Sequence, residues 1–277
     1  QILTNALLFN EEMCKTLSKF SSLTVRVSME SAQEGLFEYF RGRGTYQKFV
    51  EAINRLQEAR IPLSVGYAVY PENLNTLVEG AEWSIQRNLD YFRILPHVKR
   101  FRAKGLAGEE DMAESIVFQV LEIYRSHEDL VPGNPKGSPE IDPRIFPKQC
   151  PGGREYFFVD SDGRMVPCPW IPSKPVFPTI EKVTSEEDFY EMEARMTQII
   201  EEVRKKSSGR CGLCPLRETC SGGCFAEKTS RNISIFDAQP VCVWRVLQKA
   251  YRKFSKIYGS DLLREVNSMW LSYMVGM

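Results

Sequence analysis

The stretch TYQKFVEAINRLQEARIPLSVGYAV, residues 45–69, changes its hydrophobic period part-way and so decides the fold class. In its first part, Phe49, Ile53 and Leu56 recur at the spacing of one helix face. From residue 63 to residue 69, apolar side chains alternate with small or polar ones, which is the period of a strand with one covered face. A helix followed directly by a strand is therefore predicted.

The same alternation continues on both sides of this stretch. Helical spacing is found in residues 10–20, 73–86 and 109–124, and strand spacing in residues 22–28 and 91–98. Strands that alternate with helices predict βαβ units and a parallel sheet. The fold class is therefore expected to be α/β.

The second face of the predicted strands is polar. Thr24, Arg26 and Ser28 share it on one strand. Strands covered by helices on both faces are apolar throughout, whereas a polar inner face suits a barrel with a ligand cavity. We therefore expect a TIM-like barrel, with functional residues at the carboxyl ends of its strands, where Thr4 and Ser28 lie. With a further strand at the start of the sequence, which ends near Thr4, four strands are predicted, and four do not close such a barrel.

Composition argues against several classes of protein. Basic and acidic residues number 36 each, so the 277-residue chain has no net charge that would favour nucleic acid. No apolar run approaches the ~20 residues that span a bilayer. Neither G-x-x-x-x-G-K-[ST] nor G-x-G-x-x-G occurs, and two histidines argue against a Ser-His-Asp hydrolase. Neither nucleic acid nor a membrane is expected as a partner.

Cysteines distinguish the second half of the sequence. CGLCPLRETCSGGC, residues 211–224, has the spacing C-x2-C-x5-C-x3-C. Cys14 stands apart on a predicted helix, where we expect it to be a packing residue. The other cysteines are Cys150, Cys168, Cys211, Cys214, Cys220, Cys224 and Cys242.

Three kinds of site compete for these seven cysteines. Zinc ribbons separate their two C-x2-C pairs by roughly fifteen to twenty residues, and one zinc ion takes four ligands. Disulfides would leave one of the seven without a partner and would need an oxidising compartment. Seven thiolates suit one fully ligated iron–sulfur cluster and a second with an open position. The residues favour clusters and leave zinc and disulfides open.

Local patterns predict the elements around the cysteines. Residues 130–153 are rich in Pro and Gly and indicate an irregular connector. A β-hairpin is predicted next, with its turn at Asp162–Gly163 and its second strand ending at Cys168. Residues 184–206 have helical spacing, and another helix is predicted after Cys242.

The cysteine pattern resembles that of a known family. Cys150, Gly163 and Cys168 are spaced C-x12-G-x4-C, and the pattern of residues 211–224 and a final Cys242 follow. This arrangement is similar to the SPASM domain of radical SAM enzymes.

The first half resembles the same family. ILTNALL is similar to the family's third-strand TNG segment, with Ala6 in place of Gly, and VRVSME to its fourth-strand SLDG segment, with Glu30 in place of Asp. FRGRGTYQKF is similar to the family's RG-x-G-[ST]-[FY] stretch, and VYPENLNTL to the segment after the fifth strand. The resemblance covers about residues 1–242.

The resemblance implies a domain organisation. A partial (β/α)6 TIM-like barrel that lacks its first strands would occupy residues 1–107 with strands three to six. A helix and linker would follow in residues 108–149, and a small α+β SPASM domain in residues 150–242. A helical segment would end the chain at residues 243–277. The family's C-x3-C-x2-C loop does not occur here, so we expect an N-terminally truncated fragment that is inactive alone.

The resemblance also implies cofactors. In the family, that loop holds a [4Fe–4S] cluster that binds S-adenosylmethionine (SAM). One electron cleaves SAM to methionine and a 5′-deoxyadenosyl radical, which abstracts a hydrogen atom from the substrate. Two auxiliary clusters, of [4Fe–4S] type, would lie in this chain and serve in electron transfer or substrate ligation, and an external donor such as flavodoxin or ferredoxin would supply electrons.

Particular residues take roles through the resemblance. Thr4 and Ser28 would contact SAM. Arg41 would bind a carboxylate, or form a salt bridge within its loop. No catalytic residue is assigned. The first auxiliary cluster would take Cys150, Cys168 and Cys224, and the second Cys211, Cys214, Cys220 and Cys242.

The expected function is the modification of a peptide or protein substrate, in the cytoplasm. Sulfatase maturases of the family carry Asp directly after the second cysteine of the SPASM region, whereas Pro169 follows Cys168 here, which argues against formylglycine formation. Within the family, the alternative is cofactor biosynthesis. Outside it, the alternative is a non-catalytic zinc-binding or electron-transfer module on a degenerate barrel.

Overall fold

The structure, a computed structural model, describes residues 1–96, 109–127, 139–141, 152–155, 157–169, 177–206, 209–220 and 222–259. The chain divides into two units. The first comprises Gln1–His97, Asp111–Asp142 and Leu247–Met277, and the second comprises Val98–Glu110 and Pro143–Val246. The domain boundaries expected at residues 107, 149 and 242 remain predictions.

Five parallel strands form the sheet of the first unit, and each pairs with the strand before it in the chain. Parallel neighbours need a crossover connection, and helices provide it here. The predicted α/β fold with a parallel sheet is therefore confirmed, whereas the partial (β/α)6 barrel remains a prediction. The strands are β1 Ile2–Thr4, β2 Val25–Met29, β3 Leu63–Val69, β4 Tyr91–Pro96 and β5 Pro139–Ile141.

The fifth strand corrects the prediction that residues 130–153 are irregular throughout. Phe92 of β4 pairs with Pro139, and Ile94 pairs with Ile141. A strand of three residues is too short to show a period of two. Proline, which cannot donate a hydrogen bond, is tolerated where a strand begins. The Pro-rich composition therefore concealed this strand.

Helices connect the strands of the first unit. Asn10 caps the first of them by accepting a hydrogen bond from the Met13 amide at 2.8 Å. Thr45 directly precedes the third helix, but its hydroxyl donates to the Gly42 carbonyl and makes no capping hydrogen bond to that helix. The second helix was not predicted, and it is short and contains Gly35. The helices are α1 Glu11–Leu17, α2 Glu34–Arg41, α3 Tyr46–Glu58, α4 Leu77–Gln86 and α5 Glu109–Ser126, and a 3₁₀ turn, Pro71–Thr76, precedes α4.

The core of the first unit lies between the sheet and these helices. Val25, Val27 and Met29 of β2 are fully buried, which matches the alternation in the sequence. α4 approaches β3 closely, because a Cβ atom on Gly80 would lie 2.6 Å from the Tyr67 ring. The strands are therefore fixed by close packing, and their carboxyl ends are held at one edge of the sheet.

The second unit contains the predicted hairpin. Strand β6, Phe158–Val159, pairs antiparallel with β7, Met165–Val166. Asp160 accepts hydrogen bonds from the amides of Asp162 and Arg164, both at 3.0 Å, and closes the turn. Gly163 has φ +82, a conformation that glycine adopts without steric cost. The predicted hairpin and its turn are therefore confirmed, but the second strand ends at Val166 and not at Cys168.

Helices make up most of the rest of this unit. Met165, Met192 and Met196 are fully buried in its core, together with Phe225 at 1% exposure. No helix in the described part of the chain is both long and apolar enough to cross a membrane. The helices are α6 Glu187–Lys206, α7 Gly209–Gly212, α8 Arg217–Cys220, α9 Phe225–Ser230 and α10 Val243–Tyr258, the last of which continues into the first unit.

Candidate functional site

Four cysteines line one cavity in the second unit. The space between its lining atoms, counted together with the adjoining open solvent, is about 430 Å³. Leu216, Val243 and Trp244 supply apolar wall. The cysteines are Cys211, Cys214, Cys220 and Cys242, the four that the resemblance assigns to one auxiliary cluster.

Short turns of helix present three of these cysteines. The Cys214 amide donates to the Cys211 carbonyl at 3.3 Å, and the Cys220 amide donates to the Leu216 carbonyl at 2.8 Å. The loop then reverses at Gly222 and Gly223, with φ values of +76 and +105. Only glycine adopts two such conformations in succession at low cost. The two glycines therefore permit the turn between Cys220 and Cys224.

The cysteines of the cavity act on one another electrostatically. Burial is the largest cause that raises the pKa of the Cys220 thiol to about 11. The Lys228 ammonium opposes this rise, whereas negative charge on the other three cysteines of the cavity adds to it. Four thiolates together would therefore need positive charge at their centre, and bound metal supplies such charge.

Cys168 and Cys224 belong to a different part of the second unit. Cys168 is 8% exposed within the hydrophobic core, and the half-buried Cys224 packs against the same core. Cys224 does not line the cavity of the other four. Cys150, the third cysteine that the resemblance groups with them, lies outside the described residues. None of the seven described cysteines, which include the buried Cys14, forms a disulfide with another described cysteine.

Gln239 holds the junction between the two cysteine groups, and the sequence did not indicate it. Its side chain is 3% exposed and lines the cavity. Its Oε1 accepts a hydrogen bond from the Cys224 amide at 2.9 Å, and its Nε2 donates to the Val241 carbonyl at 2.7 Å. A Cβ atom on Gly223 would lie 2.3 Å from this side chain. The glycine therefore also makes room for Gln239.

The placement of the cavity cysteines can be compared with the geometry of a zinc site and with that of an iron–sulfur cluster. Among the described residues, no three Cys, His, Asp or Glu side chains are placed to hold one metal ion together. A tetrahedral zinc ion, with Zn–S distances of about 2.3 Å, brings its sulfurs to within roughly 4 Å of one another. A cubane cluster binds each thiolate at a different iron, so its ligands stand farther apart. The four cysteines that line one cavity supply the number of thiolate ligands that such a cluster takes.

The predicted SAM-contacting residues lie at the carboxyl edge of the sheet. Thr4 ends β1 and pairs in register with Val27, the residue before Ser28 on β2. The Thr4 hydroxyl accepts a hydrogen bond from the Ala6 amide at 3.0 Å. Ala6 has φ +64, which explains why the resembled family has glycine there. Thr4 and Ser28 therefore lie on neighbouring strand ends.

Arg41 is engaged in an ion pair. Its Nε donates to Glu30 Oε2 at 2.7 Å and its Nη2 donates to Glu30 Oε1, so that the contact is bidentate. Glu30 is 5% exposed and follows β2 directly. The structure thus shows the loop salt bridge that was expected as one of the two roles of Arg41.

Asn73 is a further residue that the sequence pattern did not indicate. It is fully buried, and its Nδ2 donates to the Glu30 carbonyl at 2.6 Å and to the Ala68 carbonyl at 2.8 Å. Its Oδ1 accepts a hydrogen bond from the Tyr70 amide at 2.6 Å. The side chain joins the segments that follow β2 and β3 and fixes this edge of the sheet. The turn-forming Pro71 two residues earlier is a weak sequence signal for it.

Two curated proteins are similar to this chain in sequence. The AdoMet-dependent heme synthase of Methanosarcina barkeri is 20% identical over 268 residues, which cover 87% of this chain and 73% of that protein. The PqqA peptide cyclase of Bradyrhizobium diazoefficiens is 26% identical over 176 residues, which cover 60% of this chain and 45% of that protein. No protein-family profile matches the chain.

The fold is similar to that of a solved structure. Native anSMEcpe, with bound AdoMet and the Cp18Cys peptide, superposes with a TM-score of 0.67 at 14% identity, over 96% of this chain and 75% of that one. The chain is similar to radical SAM enzymes in sequence and in fold. The predicted family resemblance is therefore confirmed, and the radical SAM relatives support an enzyme rather than a non-catalytic module.

Proposed function

We propose that this chain is part of a radical SAM enzyme that modifies a peptide or protein, and that its second unit holds two auxiliary iron–sulfur clusters. The observation that carries the proposal is the division of the cysteines. Four of them line one cavity, whereas Cys168 belongs to the hydrophobic core of the second unit and Cys224 packs against that core. One zinc site would not use cysteines in two places.

The ligand sets follow from this division. Cys211, Cys214, Cys220 and Cys242 would hold one cluster, and Cys168 and Cys224 would hold the other with Cys150. Bound clusters supply one-electron transfer at potentials set by net charge, hydrogen bonds and exposure. The protein's own residues would present thiolates to the clusters. Apolar side chains such as Trp244 would exclude water, and the hydrogen bonds of Gln239 would fix the loop.

The carboxyl edge of the sheet would hold SAM. Thr4 and Ser28 supply hydroxyl groups at adjacent strand ends. Arg41, held by Glu30 through Nε and Nη2, would present Nη1 to a carboxylate. The hydrogen bonds of Asn73 would keep this edge rigid, because they join two strand ends through one buried side chain.

The proposed substrate is a peptide or protein. The name of one relative, PqqA peptide cyclase, and the peptide bound to anSMEcpe support this class. Pro169 after Cys168 supports a modification other than formylglycine formation. A flavodoxin or ferredoxin as electron donor and a cytoplasmic location belong to the same proposal.

Metal analysis of the anaerobically reconstituted chain tests the proposal. Two [4Fe–4S] clusters would give about eight irons per chain with a broad brown absorbance. Cys220→Ala and Cys168→Ala should each lose about half of the iron, whereas Cys14→Ala, the matched control, should retain it all. Stoichiometric zinc without iron in anaerobically purified protein would contradict the clusters.

A second test concerns SAM cleavage. The sequence contains no C-x3-C-x2-C loop, so the reconstituted chain, given SAM and dithionite, should form no 5′-deoxyadenosine. Liquid chromatography of the products measures this. Formation of 5′-deoxyadenosine by the 277-residue chain alone would show that the assignment of the clusters is wrong.

A second candidate function is cofactor synthesis. It is favoured by the relative that matches 87% of this chain, the AdoMet-dependent heme synthase. Titration with a tetrapyrrole separates the candidates: saturable binding with a shifted absorbance band favours cofactor synthesis. Saturable binding of a precursor peptide, without binding of the tetrapyrrole, favours peptide modification.

A further inference from the structure

One buried cation lies beside both groups of cysteines. Lys228 is on α9, one helical turn after Cys224, and its exposure is 0%. Lysine is almost never fully buried unless its charge is compensated, because removing an ammonium group from water costs several kcal/mol. The position of Lys228 therefore calls for a physical reason beyond packing.

The ammonium group is fixed against the glycine turn. Lys228 Nζ donates a hydrogen bond to the Ile235 carbonyl at 2.8 Å and lies 5.4 Å from the centre of the Phe225 ring. A Cβ atom on Gly222 would lie 2.9 Å from Nζ. Gly222 thus leaves space for the charge at the turn that separates Cys220 from Cys224.

The charges that face this ammonium come from both groups of cysteines. Burial is the largest influence on Lys228 and lowers its pKa to about 8, whereas Cys220 and Cys211, which line the cavity, and Cys224, which packs against the core, act in the opposite direction. Asp237 adds a fourth group of the same sign. In a buried environment such interactions are stronger than in water.

We infer that Lys228 is a positioning residue that supplies one fixed positive charge to both cluster sites and raises the reduction potential of the clusters bound there. The inference rests on the proposed function. A thiolate-ligated cluster carries net negative charge, and uptake of one electron from a reductant makes it more negative. A nearby cation stabilises the reduced form more than the oxidised form.

Redox titration of the reconstituted chain tests the inference. Lys228→Met keeps the length and apolar stem of the side chain and removes its charge. We expect the equilibrium between oxidised and reduced cluster to shift about tenfold toward the oxidised form, which lowers the midpoint potential by about 59 mV for one electron. Electron paramagnetic resonance at poised potentials measures the reduced fraction.

Two further variants separate charge from structure. Lys205→Met, the control, removes the same charge from a side chain that is 78% exposed, and it should leave the potential unchanged because solvent screens that charge. Lys228→Arg keeps the charge and should keep the potential near the wild-type value. If Lys228 served only in folding, the midpoint potential would not depend on whether residue 228 carries a positive charge.

Each result decides the inference. A lowered potential in Lys228→Met, with wild-type values in Lys205→Met and Lys228→Arg, supports it. An unchanged potential in Lys228→Met, or an equal fall in Lys205→Met, overturns it. If Lys228→Met takes up little iron, Lys228→Gln replaces it, and equal potentials in Lys228→Gln and Lys228→Arg overturn the inference. A wild-type chain that binds no cluster would instead overturn the proposed function on which it rests.

Discussion

The two units of the chain are ordered in different ways. In the first, the strands are five to seven residues long at β2 and β3, and their covered faces are buried completely against helices. In the second, β6 and β7 have two residues each and α7 and α8 have four. There, buried polar side chains such as Gln239 and Lys228 hold the loops. Apolar packing orders the strands of the first unit and also the hairpin and α6 of the second, whereas the cysteine loops of the second unit depend in addition on individual polar contacts and on the proposed metal ligands.

The largest expected difference between the units is their response to loss of metal. If clusters bind as proposed, their removal should raise amide hydrogen exchange at residues 209–224 at least tenfold, because metal binding and folding are coupled. Exchange in α3 and β3 should change little. Mass spectrometry of the anaerobic chain, with and without clusters, measures both regions. If residues 209–224 exchanged equally fast with and without clusters, the expected difference between the two units would be disproved.

Single polar contacts should matter strongly in the second unit. Gln239→Ala leaves the Cys224 amide and the Val241 carbonyl without the partner that they have now. We expect a loss of about 2–3 kcal/mol in the free energy of unfolding, since each buried unsatisfied group costs about 1–3 kcal/mol. Denaturant unfolding measures it. Gln198→Ala on the exposed side of α6 is the control. An equal loss of unfolding free energy in the two variants would show that burial of Gln239 does not matter.

Close packing should decide the effect of a methyl group in the first unit. Gly80→Ala places Cβ 2.6 Å from the Tyr67 ring, so we expect a loss of about 1–2 kcal/mol despite the better helix propensity of alanine. Gly35→Ala in α2 meets nothing within 4 Å and should gain about 0.5–1 kcal/mol. Thermal unfolding of both variants tests the pair. A gain in both would show that α4 does not pack tightly on β3.

The smallest expected effect is the pH dependence of the hairpin. Burial acts to raise the pKa of Asp160, but hydrogen bonds from Arg164 and from the Asp162 amide outweigh it and hold the pKa below its ordinary value. A lowered folded-state pKa stabilises the fold above the unfolded-state pKa of about 3.9, and this contribution is lost as pH falls through the folded-state value. Asp160→Asn should therefore flatten the decline in stability below about pH 4. If stability declined below pH 4 as steeply in Asp160→Asn as in the wild-type chain, the role of Asp160 would be contradicted. Asp162→Asn is the control, and it should keep the wild-type decline.

The sequence predicted regular elements where a hydrophobic period extends over several residues. β2, α3 and β3 agree with it because their buried positions recur at the spacing of a strand or a helix. β5 was missed because three residues carry no period. Asn73, Gln239 and Lys228 were missed because burial of a polar side chain depends on neighbours that are distant in sequence, and local patterns do not contain them.

By itself, the sequence determined the helix–strand alternation, the glycine turn at Gly222 and Gly223, and the supply of closely spaced cysteines. It determined them because period, backbone freedom and spacing are local properties of a chain. Only the tertiary structure placed Cys242 at the cavity of Cys211, Cys214 and Cys220, and placed Cys224 against the core that contains Cys168. Which thiols share a site depends on distance in space, and packing between distant segments decides that distance.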